Sequence, residues 1–125
     1  MEQIIFAIDN DNDPHVVAKF MRHCDTERAM GRMWPISMVI GCYNGQLERS
    51  YIVLAQEFDK VKDYVKDQES ILRVPADTRQ PCVLEYLSTG ERESVGPMRE
   101  VSAQEALQAM AWTYEPIEQK YFVCG

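Results

Sequence analysis

Apolar positions along this chain recur with two periods, and the switches between them mark out the elements. Residues 3–8 form a short apolar run of the length of a strand. The run Asp9-Asn10-Asp11-Asn12-Asp13-Pro14 breaks it. Asp13 suits a helix N-cap and Pro14 the first helical position, where a missing N–H costs nothing. Val16, Val17, Phe20, Met21 and Cys24 then recur at helical spacing, which predicts a helix over residues 14–30 with Gly31 as its stop. Strand patterns take over at residues 34–43 and 46–54, with Pro35 confining the first to an edge or a bend. Phe58, Val61 and Val65, at i, i+3 and i+7, predict a second helix over residues 55–67. Strands follow at residues 70–74 and 82–87, separated by a loop, and Thr89-Gly90 turns the chain into residues 92–101. Ser102 with Glu105 three residues on is a capping box for a third helix, to residue 111. Residues 121–124 make a closing strand.

The first part of this order is strand, helix, strand, strand, helix, strand. That is the split βαβ, ferredoxin-like arrangement of the α+β class, an antiparallel sheet with helices on one face. The remainder adds C-terminal strands and a helix. No repeat, low-complexity stretch or linker divides the chain, so residues 1–125 are expected to form one domain. Val17, Phe20, Phe58, Val61, Val65 and Ile71 are its expected core. A small sheet with one uncovered face commonly meets another subunit, and an oligomer is expected.

Composition narrows the partners. The hydrophobic fraction of 46% and charged fraction of 26% are ordinary for a globular protein. No apolar run reaches the roughly 18 residues that span a bilayer, and no basic leader precedes a hydrophobic stretch, so a cytoplasmic protein without membrane contact is expected. A net charge of −7 argues against a nucleic-acid backbone as partner. Such a field favours a small cation, and it equally serves solubility. Cys24, Cys42, Cys82 and Cys124 have no Cys-x-x-Cys spacing and only His15 and His23 accompany them, so no metal site is expected and the thiols read as reduced and buried. Asp9, Asp11 and Asp13 imitate the start of a calcium loop, but Pro14 and Phe20 stand where that loop needs Gly and Glu. No phosphate-cradling glycine motif is present.

The richest stretch is the run from Ile40 to Ser50. Asn44-Gly45 between two runs of β-formers is a hairpin signal, because both turn residues need positive φ. With those two as the loop, Tyr43 pairs with Gln46 and Gly41 with Glu48. Strand alternation then puts Gly41, Tyr43, Gln46, Glu48 and Ser50 on one face, a place for a ligand. Ile40, Cys42, Leu47 and Tyr51 share the other, which looks like core, with Arg49 the exception. Tyr43 with Glu48 is the best candidate for chemistry, though a solvated sheet face carries such pairs too. Gln68-Glu69 is a second candidate pair, or simply the polar end of a helix.

On these residues the chain resembles the bacteriophage-encoded S-adenosylmethionine lyases, formerly called S-adenosylmethionine hydrolases. The resemblance runs over residues 18–96. It rests on Gly41-Cys42-Tyr43, on Glu48-Arg49-Ser50 opening the next strand, and on Gln68-Glu69-Ser70-Ile71-Leu72, with a tighter turn between Tyr43 and Glu48 than the family form. It implies a ferredoxin-like subunit in a trimer similar to the PII signalling proteins, with active sites between subunits. It also implies metal-independent and cofactor-free cleavage of S-adenosylmethionine to methylthioadenosine and homoserine lactone, in the host cytoplasm, as a defence against restriction. Tyr43 and Glu48 would then be catalytic, and Gly41, Gln68 and Glu69 substrate-binding. The competing expectation is a non-catalytic oligomeric module that sequesters a host protein or senses a metabolite.

Overall fold

The Asp13 side chain starts the first helix as an N-cap does, accepting the His15 N–H at 2.9 Å. In the computed structural model, which describes residues 1–125, this helix, α1, spans Pro14–Ala29. It lays Phe20 and Cys24 against the sheet. Phe20 is fully buried, its ring centroid 4.8 Å from that of Tyr51 and its plane edge-on to Phe6. Phe6, on β1 (Gln3–Phe6), and Tyr51, on β3 (Gln46–Leu54), are direct cross-strand partners. One aromatic cluster therefore locks helix to sheet, since each ring buries a large apolar area. No helix is long and apolar enough to cross a membrane.

The hairpin of β2 (Ser37–Tyr43) and β3 has the expected register, with Tyr43 opposite Gln46 and Gly41 opposite Glu48. Asn44 and Gly45 sit at φ +51° and +79°, the left-handed pair that the short turn demands. The faces divide less cleanly than the pattern implies. Tyr51 and Cys42 are buried, but Leu47 beyond the reach of α1 stays 68% exposed.

The helix expected over residues 55–67 is not α-helical. Two 3₁₀ segments, Ala55–Lys60 and Lys62–Tyr64, take its place. A second apolar spacing, which takes in Tyr64, accounts for the difference. Phe58, Val61 and Tyr64 are spaced by three, and a helix of three residues per turn stacks them on one side. Val61 and Val65 are buried there, while Phe58 and Tyr64, like Val17 of α1, pack half-buried against the core. The Tyr64 carbonyl then accepts the Asp9 N–H, tying the segment to the end of β1.

Downstream, β4 (Ser70–Val74) and β5 (Cys82–Tyr86) lie where expected, and three differences follow. The stretch 92–101 is two strands, β6 (Arg92–Gly96) and β7 (Met98–Val101), because Gly96 turns at φ +88° and Pro97 follows it. Helix α2 (Ala103–Gln108) is capped by Ser102 but ends early, and β8 (Ala111–Glu115) begins at residue 111, where helix was expected. The closing strand, β9, spans Lys120–Cys124.

All nine strands join one antiparallel sheet in the order β6-β5-β4-β1-β3-β2-β8-β9-β7. Its two edge strands are consecutive in the chain and separated by Pro97 alone, so the sheet rolls until its edges meet. The Gly125 N–H donates to the Pro97 carbonyl at 3.0 Å, carrying the contact of β9 with β7 into this corner. A Cβ on Gly96 would stand 2.5 Å from the Gly125 Cα. The surface facing away from α1 thereby becomes the inside of a hollow.

Gly96→Ala is expected to destabilise the fold by about 1–3 kcal/mol, through overpacking at the seam together with strained backbone. Gly90 has a similar φ of +74° but open space around its Cα. Thermal melts should therefore show Gly96→Ala losing clearly more than Gly90→Ala; equal losses would mean that the seam is not tight.

Candidate active site

The hairpin register aims Gly41, Tyr43 and Glu48 to the side opposite α1. Gly41 pairs onward with Thr113 of β8, and Thr113 with Phe122 of β9, so these side chains share that inner surface. Leu72 of β4 and Leu84 of β5 face them from the far side of the roll. Together they enclose a hollow of about 520 Å³ whose lining is mostly apolar. Tyr43 stands at its rim, 62% exposed, beside the loop from α2 to β8, where the Asn44 N–H donates to the Met110 carbonyl. A Cβ on Gly41 would meet only ordinary contacts at 3.7 Å, so the fold does not need a glycine there and its bareness leaves room in the hollow.

Two charged residues line this space, Glu48 and Arg99. They are not equivalent. Arg99 is engaged, its Nε donating to the Gly125 carbonyl and its Nη1 to Glu105, each at 2.8 Å. The Glu48 carboxylate has no hydrogen bond or ion pair. Glu48 is exposed, yet partial loss of hydration beside the wall, and then repulsion by Asp11, push its titration above the usual carboxylate range. An apolar hollow with one uncompensated negative charge suits a ligand with an apolar body and a positive group.

Gln68 and Glu69 lie outside this wall. The Gln68 amide donates to Asp9 Oδ1 at 3.0 Å, next to an Asp67 N–H bond to Asp9 Oδ2, so it helps clamp the turn into β4. Glu69 is exposed and its backbone carbonyl accepts the Leu87 N–H. Tyr86, which pairs with Ser70, links the two regions. Its phenol titration is raised first by donating a hydrogen bond to Glu93 at 2.9 Å, and further by the nearby Glu69 and Tyr43. Tyr86, Thr113, Phe122 and Arg99 escaped the sequence pattern. Trp112, Thr113 and Tyr114 are β-formers that offered a signal for β8, but nothing local says which strand they pair with.

The Cys24 and Cys124 thiols are poor nucleophiles. Burial, then Asp25 and Glu27, push Cys24 up to about 11; burial, then Cys82, push Cys124 up to about 12. No group of three or more His, Cys, Asp or Glu side chains is placed to hold a metal ion.

The S-adenosylmethionine lyase family model matches residues 7–125, essentially the whole chain. The chain belongs to this family. The match reaches beyond the stretch that carried the resemblance and takes in β7 to β9, the strands that complete the wall around Glu48 in this family member. A search of curated proteins finds no match to it.

The raised titration of Glu48 has a consequence for stability. A carboxyl that holds its proton more tightly when folded favours folding at low pH, and that contribution is lost as pH rises through its raised value. Glu48→Gln should therefore melt above the wild type at neutral pH, and the gap should close below about pH 4, where both side chains are neutral. Melts of the two proteins across that range check it; a lower melting point for Glu48→Gln at neutral pH would mean that the carboxylate has a partner.

Proposed function

We propose that the protein cleaves S-adenosylmethionine to methylthioadenosine and homoserine lactone, and that depleting the host's supply of this methyl donor counters restriction. The observation that carries this reading is the unpaired Glu48 carboxylate on the wall of an apolar hollow, in a member of this family. The substrate's own carboxylate attacks its γ-carbon, and the C–S electron pair leaves with sulfur as a neutral thioether. No proton is transferred and no protein nucleophile is consumed. The protein's task is to fold the methionine chain into an attack geometry, and such positioning is worth several kcal/mol. In this proposal no metal or cofactor takes part.

Glu48 holds the substrate ammonium through a charge-assisted bond, and the Tyr43 ring at the rim lies against the sulfonium. Gly41 leaves space for the ligand above Glu48. Gln68 and Glu69 complete the site at a subunit boundary, with Glu69 accepting hydrogen bonds from the ribose hydroxyls. The subunit is taken as ferredoxin-like, because β4-β1-β3-β2 follow one another in the sheet with α1 on one face, and as one of three in a PII-like trimer. The acidic chain favours approach of a substrate with two cationic groups and a net positive charge.

Purified protein mixed with S-adenosylmethionine should yield methylthioadenosine and homoserine lactone, unaffected by chelator. Homoserine formed directly, with solvent oxygen at the γ-carbon, would instead mean hydrolysis. Glu48→Gln should nearly abolish turnover: a charge-assisted bond contributes roughly 1.5–3 kcal/mol, and misplacing the chain by about 1 Å costs a further hundredfold. Tyr43→Phe keeps the ring and should be milder. Binding without turnover in the wild type would favour the non-catalytic module.

A further inference from the structure

The ladder between β1 and β3 stops at Phe6 opposite Tyr51. Over residues 46–50, β3 is bonded to β2 alone, and its other edge is free. Glu48 and Arg49 stand on the two sides of this free stretch, Glu48 toward the hollow and Arg49, with Tyr51, toward α1. Arg49 is long and 42% exposed, and no other strand flanks the edge here to keep its guanidinium from turning around to its neighbour's carboxylate.

The chain leaving β1 brings Asp11 to this edge. Asp11 Oδ2 lies 3.9 Å from Arg49 Nε, on the α1 side. Asp11 Oδ1 is buried and has no hydrogen-bond partner. A carboxylate oxygen held out of water without a donor is costly, so the loop holds Asp11 in place for something other than a well-satisfied turn. We propose that Asp11 is a positioning residue, which pins the Arg49 guanidinium to the helix side of β3 and so leaves Glu48 uncompensated for a cationic ligand. This rests on the cationic ligand proposed above.

The charges around Glu48 agree with this division. Asp11 repels it from the loop, Arg49 adjoins it on β3, Tyr43 lies on β2, and Arg99 across the hollow is bound to Gly125 and Glu105. Around Arg49, the Tyr51 phenol first and then Asp11 favour the charged guanidinium on the helix side, and Cys24 of α1 adds only a buried thiol beside Tyr51. With Asp11 neutral, Arg49 loses its counter-ion and Glu48 is the acid beside it.

The experiment compares wild type, Asp11→Asn and Asp11→Asn/Arg49→Gln, following the Glu48 carboxyl by NMR titration in the ligand-free protein. Asp11→Asn should lower the Glu48 titration, since repulsion disappears and a cation arrives. Removing Arg49 in the double variant should bring it part of the way back. In parallel, the KM for S-adenosylmethionine should rise several-fold in Asp11→Asn and recover in the double variant, whereas binding of neutral methylthioadenosine should not follow this pattern. An unmoved Glu48 in Asp11→Asn, or a fall that the second substitution does not reverse, would overturn the proposal. If the wild type neither binds nor cleaves S-adenosylmethionine, the proposed function fails, while the titration still decides the role of Asp11.

Discussion

Curling of the sheet, until its edge strands β6 and β7 meet at Pro97, is the constraint on which the site depends. The Gly96 and Gly125 backbones approach so closely that a side chain on Gly96 would strike Gly125. That contact lets β6 and β7 meet around Pro97, although they stand at opposite ends of the sheet order. On the opposite face, α1 and the 3₁₀ segments pack over β1 and β3. Without the roll, Leu72, Leu84 and Phe122 would form one wall of an open apolar surface, which is a liability for a monomer. With it, they line a hollow, and the ends of the two edge strands meet at the Pro97 corner.

Inside that enclosure, strand alternation sorts charge. Neighbouring residues on β3 face opposite ways, so Glu48 enters the hollow while Arg49 stays beside α1 and Asp11. A carboxylate on an apolar wall without a partner opposes folding at neutral pH, and the fold tolerates this because the Phe6, Phe20 and Tyr51 cluster is anchored elsewhere. Stability given up at one side chain in this way is a common mark of a functional position. The contrast with Arg99 is instructive: this cation across the hollow is committed to holding α2 and the end of β9.

How much of this was legible in the amino-acid order depended on how local each determinant is. The N-cap at Asp13, the Asn44-Gly45 turn and the strand at residues 70–74 are set by contacts within a few residues, and they fold as the pattern predicts. The same locality carried the pairing of Gly41 with Glu48 and put Tyr43 on the same side, because a two-residue turn fixes register. Over residues 55–67 the i, i+3, i+7 spacing of Phe58, Val61 and Val65 fits an α-helix, but these residues reach the core from two short 3₁₀ segments and the residues between and after them, a choice made by packing rather than by spacing. The tertiary structure alone decided that β8 joins β2, that Thr113 and Phe122 therefore face Glu48, and that Gln68 is drawn to Asp9, away from the hollow. Those outcomes depend on pairings between strands some 70 residues apart in the chain, where closure entropy and the packing of the whole sheet, rather than any local preference, select the partner.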